Sequence, residues 1–279
     1  MKLTKTAQEM ILTRKPQLIE HFYSLEGEGQ TIGRSSLFIR TNQCQLKCTF
    51  CDTSFSIKGD AEQLVTDMTS DLYVEYMKEQ YSNDIRQNTE NLSITGGEPL
   101  LNLLYLDKIL DKTLLAFPNI NKVVIETNGY LLRNKELCLK LIDMLSPYVP
   151  DIKFTLSMSP KLNSEVSHAN KDSNDQIIRN YESVLKNYDH LLRMHFDLQI
   201  KVVYSEALKV QDERIIDFAI NDLKTKIKRE KILIMPLTPN DPTDKDKEEW
   251  SASKDIAARY ALKNHFRYSP RIHIDRRLD

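Results

Sequence analysis

At 279 residues, with 39 basic and 40 acidic side chains and a hydrophobic fraction of 41%, the chain has material for a sizeable core and no overall charge to draw it to nucleic acid or an anionic membrane. No stretch approaches the ~18 apolar residues of a membrane span, and the mixed Lys, Gln and Glu of Met1 to Glu20 lack the apolar centre of a signal peptide. Four cysteines, three of them clustered, do not make a disulfide framework, so a reducing cytoplasm is the expected compartment.

Residues 1–16 are polar and read as a short extension. Gln17 to Ser24 is the first predicted strand, and it leads into Ser24-Leu25-Glu26-Gly27-Glu28-Gly29, a loop with two glycines and two carboxylates. Ser36 to Thr41 predicts a buried strand running directly into a loop that holds Cys44, Cys48 and Cys51. Asp71 to Tyr81 has helical spacing, Asn91 to Thr95 is a short strand ending in Gly96-Gly97-Glu98-Pro99, and Leu100 to Phe117 is again apolar at helical spacing. Lys122 to Glu126 is a strand ending in Thr127-Asn128-Gly129, and Asn134 to Leu145 is a helix carrying Cys138 as a packed core thiol. Asp151 to Leu156 is a strand that ends near Ser159-Pro160-Lys161; the polar residues 162–174 read as a loop. Asp175 to His195 predicts a long amphipathic helix. Then come a strand at Leu198 to Tyr204, a helix at Asp212 to Ile227, and a strand at Lys231 to Leu237 ending in Met235-Pro236-Leu237-Thr238. A helix at Lys245 to Asn264 and a last strand around Arg271 to Ile274 complete the pattern. The basic run Lys224 to Lys231 reads most simply as a solvated helix end.

Strand and helix alternate at least five times, which predicts an α/β fold of parallel strands joined by right-handed crossovers. Each glycine-containing or polar motif falls just after a strand, so the motifs converge on the face where the strands end. The sharpest of them is Cys44-x3-Cys48-x2-Cys51. Thiolates are soft ligands, and three on one loop suit one metal centre. A closed structural zinc site needs a fourth ligand, and no further Cys or His lies nearby. Iron–sulfur cubanes also usually take four cysteines, so three would leave one iron open to a small molecule. The alternative is three reduced thiols packed as small hydrophobes; Gln45, Lys47 and Thr49 between them speak against burial.

The cysteine spacing, followed after the next strand by Gly96-Gly97-Glu98-Pro99, resembles the radical S-adenosylmethionine (SAM) superfamily. Within it, the order of Phe22-Tyr23-Ser24-Leu25-Glu26-Gly27-Glu28-Gly29, Gly33, Phe38-Ile39-Arg40, the cysteines with Asp52-Thr53, Ile94 to Leu100, Ile125 to Gly129 and Ser159-Pro160-Lys161 resembles the 7-carboxy-7-deazaguanine synthase family. The resemblance is dense from about Glu20 to Lys161 and thin afterwards. It implies a partial (βα)6-type barrel in a single domain, 1–279, whose tail 266–279 closes the site. It further implies a [4Fe–4S] cluster, SAM and Mg2+ as cofactors, a flavodoxin or ferredoxin as reductant, a homodimer, and neither membrane nor direct nucleic-acid contact. The implied reaction is a radical ring contraction of 6-carboxy-5,6,7,8-tetrahydropterin with loss of ammonia, in queuosine and 7-deazapurine biosynthesis.

Carried onto this chain, the resemblance gives Cys44, Cys48 and Cys51 to the cluster and Thr53 to Mg2+, for which a hydroxyl oxygen is a suitably hard ligand. SAM would meet Phe50, Cys51, Asp52, Gly97, Glu126, Ser159, Pro160, Lys161, Met235, Pro236, Leu237 and Thr238. The substrate would meet Leu25, Glu26, Gly27, Arg40, Thr95, His273 and the terminal Asp279. Arg40 stands in an otherwise apolar strand, where a guanidinium needs a partner and can grip a carboxylate with two bonds. Without the resemblance, Asn-Gly and Ser-Pro are ordinary turn formers, Thr53 is a turn cap, Phe50 a core aromatic, and Arg271 to Asp279 a solvated basic end. The chain departs from the family at Glu26, where Gln is common, and at Gln43, where Gly commonly precedes the first cysteine. It also has extra residues at 1–16 and around 162–176. Two other readings remain: an activase that makes a glycyl radical on a partner protein, and a binding module with structural zinc.

Overall fold

The chain is described from a computed structural model covering residues 18–48, 51, 53, 68–161, 167–168, 174–205, 209–238 and 246–276. The predicted extension 1–16, Phe50, Asp52 and Asp279 lie outside these described residues. Strand β1 (Leu18–Leu25) pairs antiparallel with β2 (Ser35–Thr41), because the short loop between them leaves no length for a crossover. The cysteine loop holds a two-residue strand, β3 (Leu46–Lys47). Strands β4 (Asn91–Gly96), β5 (Lys122–Thr127) and β6 (Lys153–Met158) follow. They join β8 (Phe196–Tyr204), β9 (Ile232–Pro236) and the short β10 (Arg267–Tyr268) in one eight-stranded sheet of order β1-β2-β4-β5-β6-β8-β9-β10. From β2 to β10 every neighbour is parallel. The apolar runs Val123-Val124-Ile125 and Ile232 to Met235 are buried, as strands covered on both faces require.

Helical segments fill the crossovers, including α1 (Asp71–Gln80) and α2 (Asn83–Asn88) between β2 and β4, and α3 (Leu106–Ala116) and α4 (Lys135–Leu145) around β5. Asn134 caps α4, its side-chain oxygen accepting the Glu136 N–H at 2.9 Å. Ser82 caps α2, which the sequence reading missed because α2 buries no side chain and so shows no apolar period. The helices α5 (Asn174–Asn187) and α6 (Lys209–Asp217) each end in a π turn, Tyr188–Leu192 and Phe218–Asp222, and α7 (Asp246–Asn264) covers β9. The basic run 224–231 is therefore not a helix end; it carries a 3-10 turn at Arg229–Lys231.

Three predicted spans are corrected. Leu100 to Phe117 is not one helix: a 3-10 segment, Pro99–Tyr105, precedes α3, and Asn102 leaves helical geometry at φ −97°, ψ 24°. The loop at 162–174 contains β7 (Ser167–His168), which pairs antiparallel with β3 and so flanks the cysteine loop. The last strand is Arg267–Tyr268, and Ile272–Arg276 is a short helix, α8. Ser269 makes the last bond to β9, its N–H to the Ile234 carbonyl at 2.9 Å; Pro270 then has no N–H to donate. The alternating Ile272 and Ile274 mimic a strand, but the Ile274 and Asp275 N–H groups turn back onto the Arg271 carbonyl, each at 3.1 Å.

The two ends of the strand order are brought together by this turn. The Ile272 N–H donates to the Gly27 carbonyl at 3.1 Å, and the Gly29 N–H donates to the Ser269 hydroxyl at 2.9 Å. Residues following β10 thus meet the loop following β1, as the curl of a partial barrel requires.

Candidate active site

Parallel strands all end on one face, and there the structure has a cavity of about 680 Å³. Its wall is built in strand order: Arg40 from β2, Thr95 and Gly96 from β4 with Gly97 just after it, Glu126 and Thr127 from β5, Ser159 and Lys161 after β6, Lys201 and Val203 from β8, and Met235 from β9 with Leu237 and Thr238 just after it. The β1 loop adds Leu25 to Glu28, and the tail adds Arg271, His273 and Ile274. Cys44, Cys48, Cys51 and Thr53 line the same cavity. Of the predicted residues that are described, only Pro160 and Pro236 are outside the lining; Pro236 instead pairs with Tyr204 in the sheet.

The three thiols are partly exposed, unlike Cys138, which is buried in the core and donates to the Leu132 carbonyl at 3.2 Å. The Leu46 N–H points at the Cys44 sulfur at 3.4 Å and the Asn128 amide nitrogen lies 3.9 Å from it. Donors aimed at a sulfur stabilise a thiolate and tune a cluster bound to it. Without a metal, burial pushes the Cys44 thiol up to about 12, with the Glu98 carboxylate adding to it, so an electrophile is needed to hold this sulfur as thiolate. The three thiols line one cavity, and thiolates are the ligands an iron–sulfur cluster takes, so the donor set fits a cluster. Thr53 places its hydroxyl 3.7 Å from the Cys51 sulfur.

The Gly-Gly-Glu-Pro loop packs directly on the cysteine loop. The Glu98 N–H donates to the Gln43 carbonyl at 2.7 Å, and a Cβ on Gly97 would collide with that same carbonyl. Gly96 has φ +144°, and a Cβ there would strike the Thr41 backbone. Gln43 itself stands at φ 73°, a left-handed conformation that glycine adopts freely and Gln does not. The fully buried Glu98 clamps the next strand end, accepting from the Thr127 hydroxyl at 2.6 Å and the Asn128 N–H at 2.8 Å. Burial nevertheless raises its carboxyl to about 7. Gly129, at φ 74°, supplies the turn that follows. After β6, the Lys161 ammonium donates to the Ser159 hydroxyl at 3.0 Å.

The same cavity has charged residues in its lining. Arg40 finds a partner across the β1–β2 ladder, its Nε donating to the Glu20 carboxylate. That bond fixes the guanidinium at the cavity wall. Phe22 and Phe38, two positions along and on the same face, stack with ring centroids 4.7 Å apart. Glu26 is only 4% exposed and accepts from the Ser93 hydroxyl. Burial raises its carboxyl to about 7, against the pull of Ser93. Gly27 lies beneath the His273 imidazole, where a Cβ would collide, so the tail sits directly on the β1 loop.

Sequence reasoning passed over the group that ties this wall together. Lys201, 4% exposed, donates to Glu126 at 2.5 Å and to Glu28 at 2.9 Å. Glu28 also accepts from Arg271 Nε at 2.8 Å, and Arg271 donates to the Thr238 hydroxyl. Lys201, Arg271 and His273 hold the Glu28 carboxyl well below the carboxylate range despite its burial. The signal was present in the sequence: Gln199 and Lys201 alternate with Leu198, Ile200 and Val202 in a strand that is otherwise apolar.

The radical SAM superfamily profile matches residues 38–200. A 7-carboxy-7-deazaguanine synthase from Methanothermobacter thermautotrophicus is 33% identical over 169 residues, 61% of this chain and 62% of that protein, so this match spans less than two thirds of the relative. Enzymes of the same name from Halobacterium salinarum (26% identical, 91% of this chain, 88% of that protein) and Clostridium acetobutylicum (28%, 79% and 96%) match over longer spans. A crystal structure of QueE from Escherichia coli superposes with a TM-score of 0.53 at 17% identity, covering 96% of this chain and 98% of that one, a likeness of fold. With a profile match from β2 to β8 that contains all three cysteines, the chain belongs to the radical SAM superfamily, whose members carry a [4Fe–4S] cluster and use SAM.

Proposed function

We propose that this protein is a radical SAM lyase of 7-deazapurine biosynthesis, converting 6-carboxy-5,6,7,8-tetrahydropterin to 7-carboxy-7-deazaguanine. The observation that carries the reading is one cavity lined both by the three cysteines and by Arg40, Glu26 and His273, groups suited to a small carboxylated heterocycle. The name shared by the curated relatives supports the same product.

Cys44, Cys48 and Cys51 would hold the cluster, with Leu46 N–H and Asn128 oriented to stabilise the Cys44 thiolate. When bound, the cluster supplies an electron for reductive cleavage of SAM, the source of a carbon radical that abstracts substrate hydrogen. The backbone of Gly96 and Gly97 would offer polar groups to the amino-acid part of SAM, and Glu126, Ser159 and Lys161, which line the same cavity, would meet its ribose and carboxylate. Thr53 offers a hydroxyl to Mg2+. Arg40, fixed by Glu20 through Nε, presents a positive group to the substrate carboxylate. Glu26 and Thr95 offer hydrogen bonds to the heterocycle, and His273 on its short helix packs over Gly27 to close the wall. Closure excludes water, which would otherwise compete for these bonds.

The chain acts as one domain closed by its own tail, in a reducing cytoplasm, as a homodimer, with a flavodoxin or ferredoxin as electron donor. The deciding experiment is anaerobic incubation of reconstituted protein with SAM, dithionite, Mg2+ and carboxytetrahydropterin. Mass analysis should show 7-carboxy-7-deazaguanine and ammonia. Cleavage of SAM with no change in the pterin would reject the assignment and leave the activase as the reading to test.

A further inference from the structure

Lys201 belongs to none of the motifs that point to cluster, SAM or substrate, yet it joins two of the cavity's carboxylates. It lies in β8 between Ile200, 0% exposed, and Val202, 3% exposed, and is itself only 4% exposed. A lysine buried this deeply is costly unless paired. Desolvation pulls its ammonium toward the neutral form, but Glu126 and Glu28 outweigh it and hold it charged. Its two partners come from distant parts of the chain: Glu126 ends β5, and Glu28 belongs to the loop after β1. Glu28 passes the connection on to the tail through Arg271, which donates in turn to Thr238 after β9. His273 Nε2 stands 3.8 Å from Glu28.

We propose that Lys201 is a positioning residue that couples the SAM side of the cavity to the seating of the C-terminal turn. Through Glu126 it orients the carboxylate offered to the SAM ribose, and through Glu28 it holds Arg271 and His273 against the β1 loop. The assignment of Glu126 to SAM rests on the proposed function; the seating of the tail does not.

Removing the ammonium leaves Glu28 and Glu126 facing each other in a buried wall, with Glu26 nearby and Arg271 and His273 facing Glu28 from the tail. Two carboxylates so placed repel each other when both are ionised, and the repulsion eases as protons become available at lower pH. The defect should therefore be worst at high pH. The test uses anaerobically reconstituted holoenzyme carrying Lys201→Met or Lys201→Arg. In Lys201→Met, hydrogen-exchange protection of the 272–276 amides should drop about tenfold at pH 8 and recover in part at pH 6. The KM for SAM in SAM cleavage should rise by a similar factor, with iron content and visible spectrum unchanged. Lys201→Arg, which keeps the charge, should stay near wild type at both pH values. Should Lys201→Met fail to fold, Lys201→Gln carries the same comparison. Protection and KM equal to wild type, or a loss that is the same at pH 6 and 8 and is not rescued by Arg, would overturn the coupling. Tail protection is read without the pterin, so a wild type inactive on that substrate rejects the proposed function and leaves this test intact.

Discussion

Replacing Glu26 by Gln isolates a buried acid by an isosteric change. The side chain is 4% exposed and bonded to Ser93, and burial moves its carboxyl from an ordinary 4.5 to about 7. Below pH 4.5 the group is protonated in folded and unfolded chains alike. Between 4.5 and about 7 the folded protein keeps a proton that the unfolded chain has released, so stability falls as pH rises. Above about 7 the loss is complete, and it amounts to about 3 kcal/mol. The amide never ionises and still accepts the Ser93 hydroxyl, so Glu26→Gln removes this term. Glu98, with the same upward displacement, and Glu28, displaced downward, are common to both proteins and cancel in the difference. Anaerobic thermal unfolding from pH 5 to pH 8 should show Glu26→Gln gaining on wild type by several degrees, most of it between pH 5 and 7. If the acid also donates to the substrate, wild-type KM should rise through pH 7 while that of the variant stays level. Parallel unfolding curves for the two proteins across this range would refute a protonated, buried Glu26.

Cys44→Ala, Cys48→Ala and Cys51→Ala should each abolish visible colour and SAM cleavage, whereas Cys138→Ala, a core truncation, should keep both; iron assay and spectra decide. Arg40→Lys keeps charge but loses the planar fork, so KM for a carboxylated substrate should rise about tenfold or more while substrate-free SAM cleavage persists. Equal loss of both would make Arg40 a structural partner of Glu20. Gln43→Gly relieves a left-handed Gln at φ 73° and should leave stability unchanged or raise it by up to about 1 kcal/mol, measured by thermal unfolding. Deleting Leu278 and Asp279, or adding a C-terminal tag, should cripple pterin turnover without loss of iron if the tail closes the site; full activity at low substrate would reduce the tail to surface.

The α/β alternation, the parallel sheet and the face on which the motifs gather were legible in the sequence, because strand and helix periods are local and parallel strands must all end on the same side. The cysteine spacing and Gly96-Gly97 were legible for a similar reason: a loop that wraps a cluster needs its ligands close in sequence, and a tight backbone contact needs glycine. The C-terminal turn was misread since Ile272 and Ile274 alternate as a strand does, and only Pro270 and the bond from Ile272 to Gly27 direct the chain into a helix. Partners distant in sequence were decided by tertiary structure alone. Glu20 meets Arg40 because β1 runs antiparallel to β2 in that register. Lys201 meets Glu28 and Glu126 because the sheet curls until β8, the end of β5 and the β1 loop share one cavity. Sequence spacing records which charges are available; the cost of burying a charge, and therefore which of them must pair, depends on the enclosure that only the folded sheet creates.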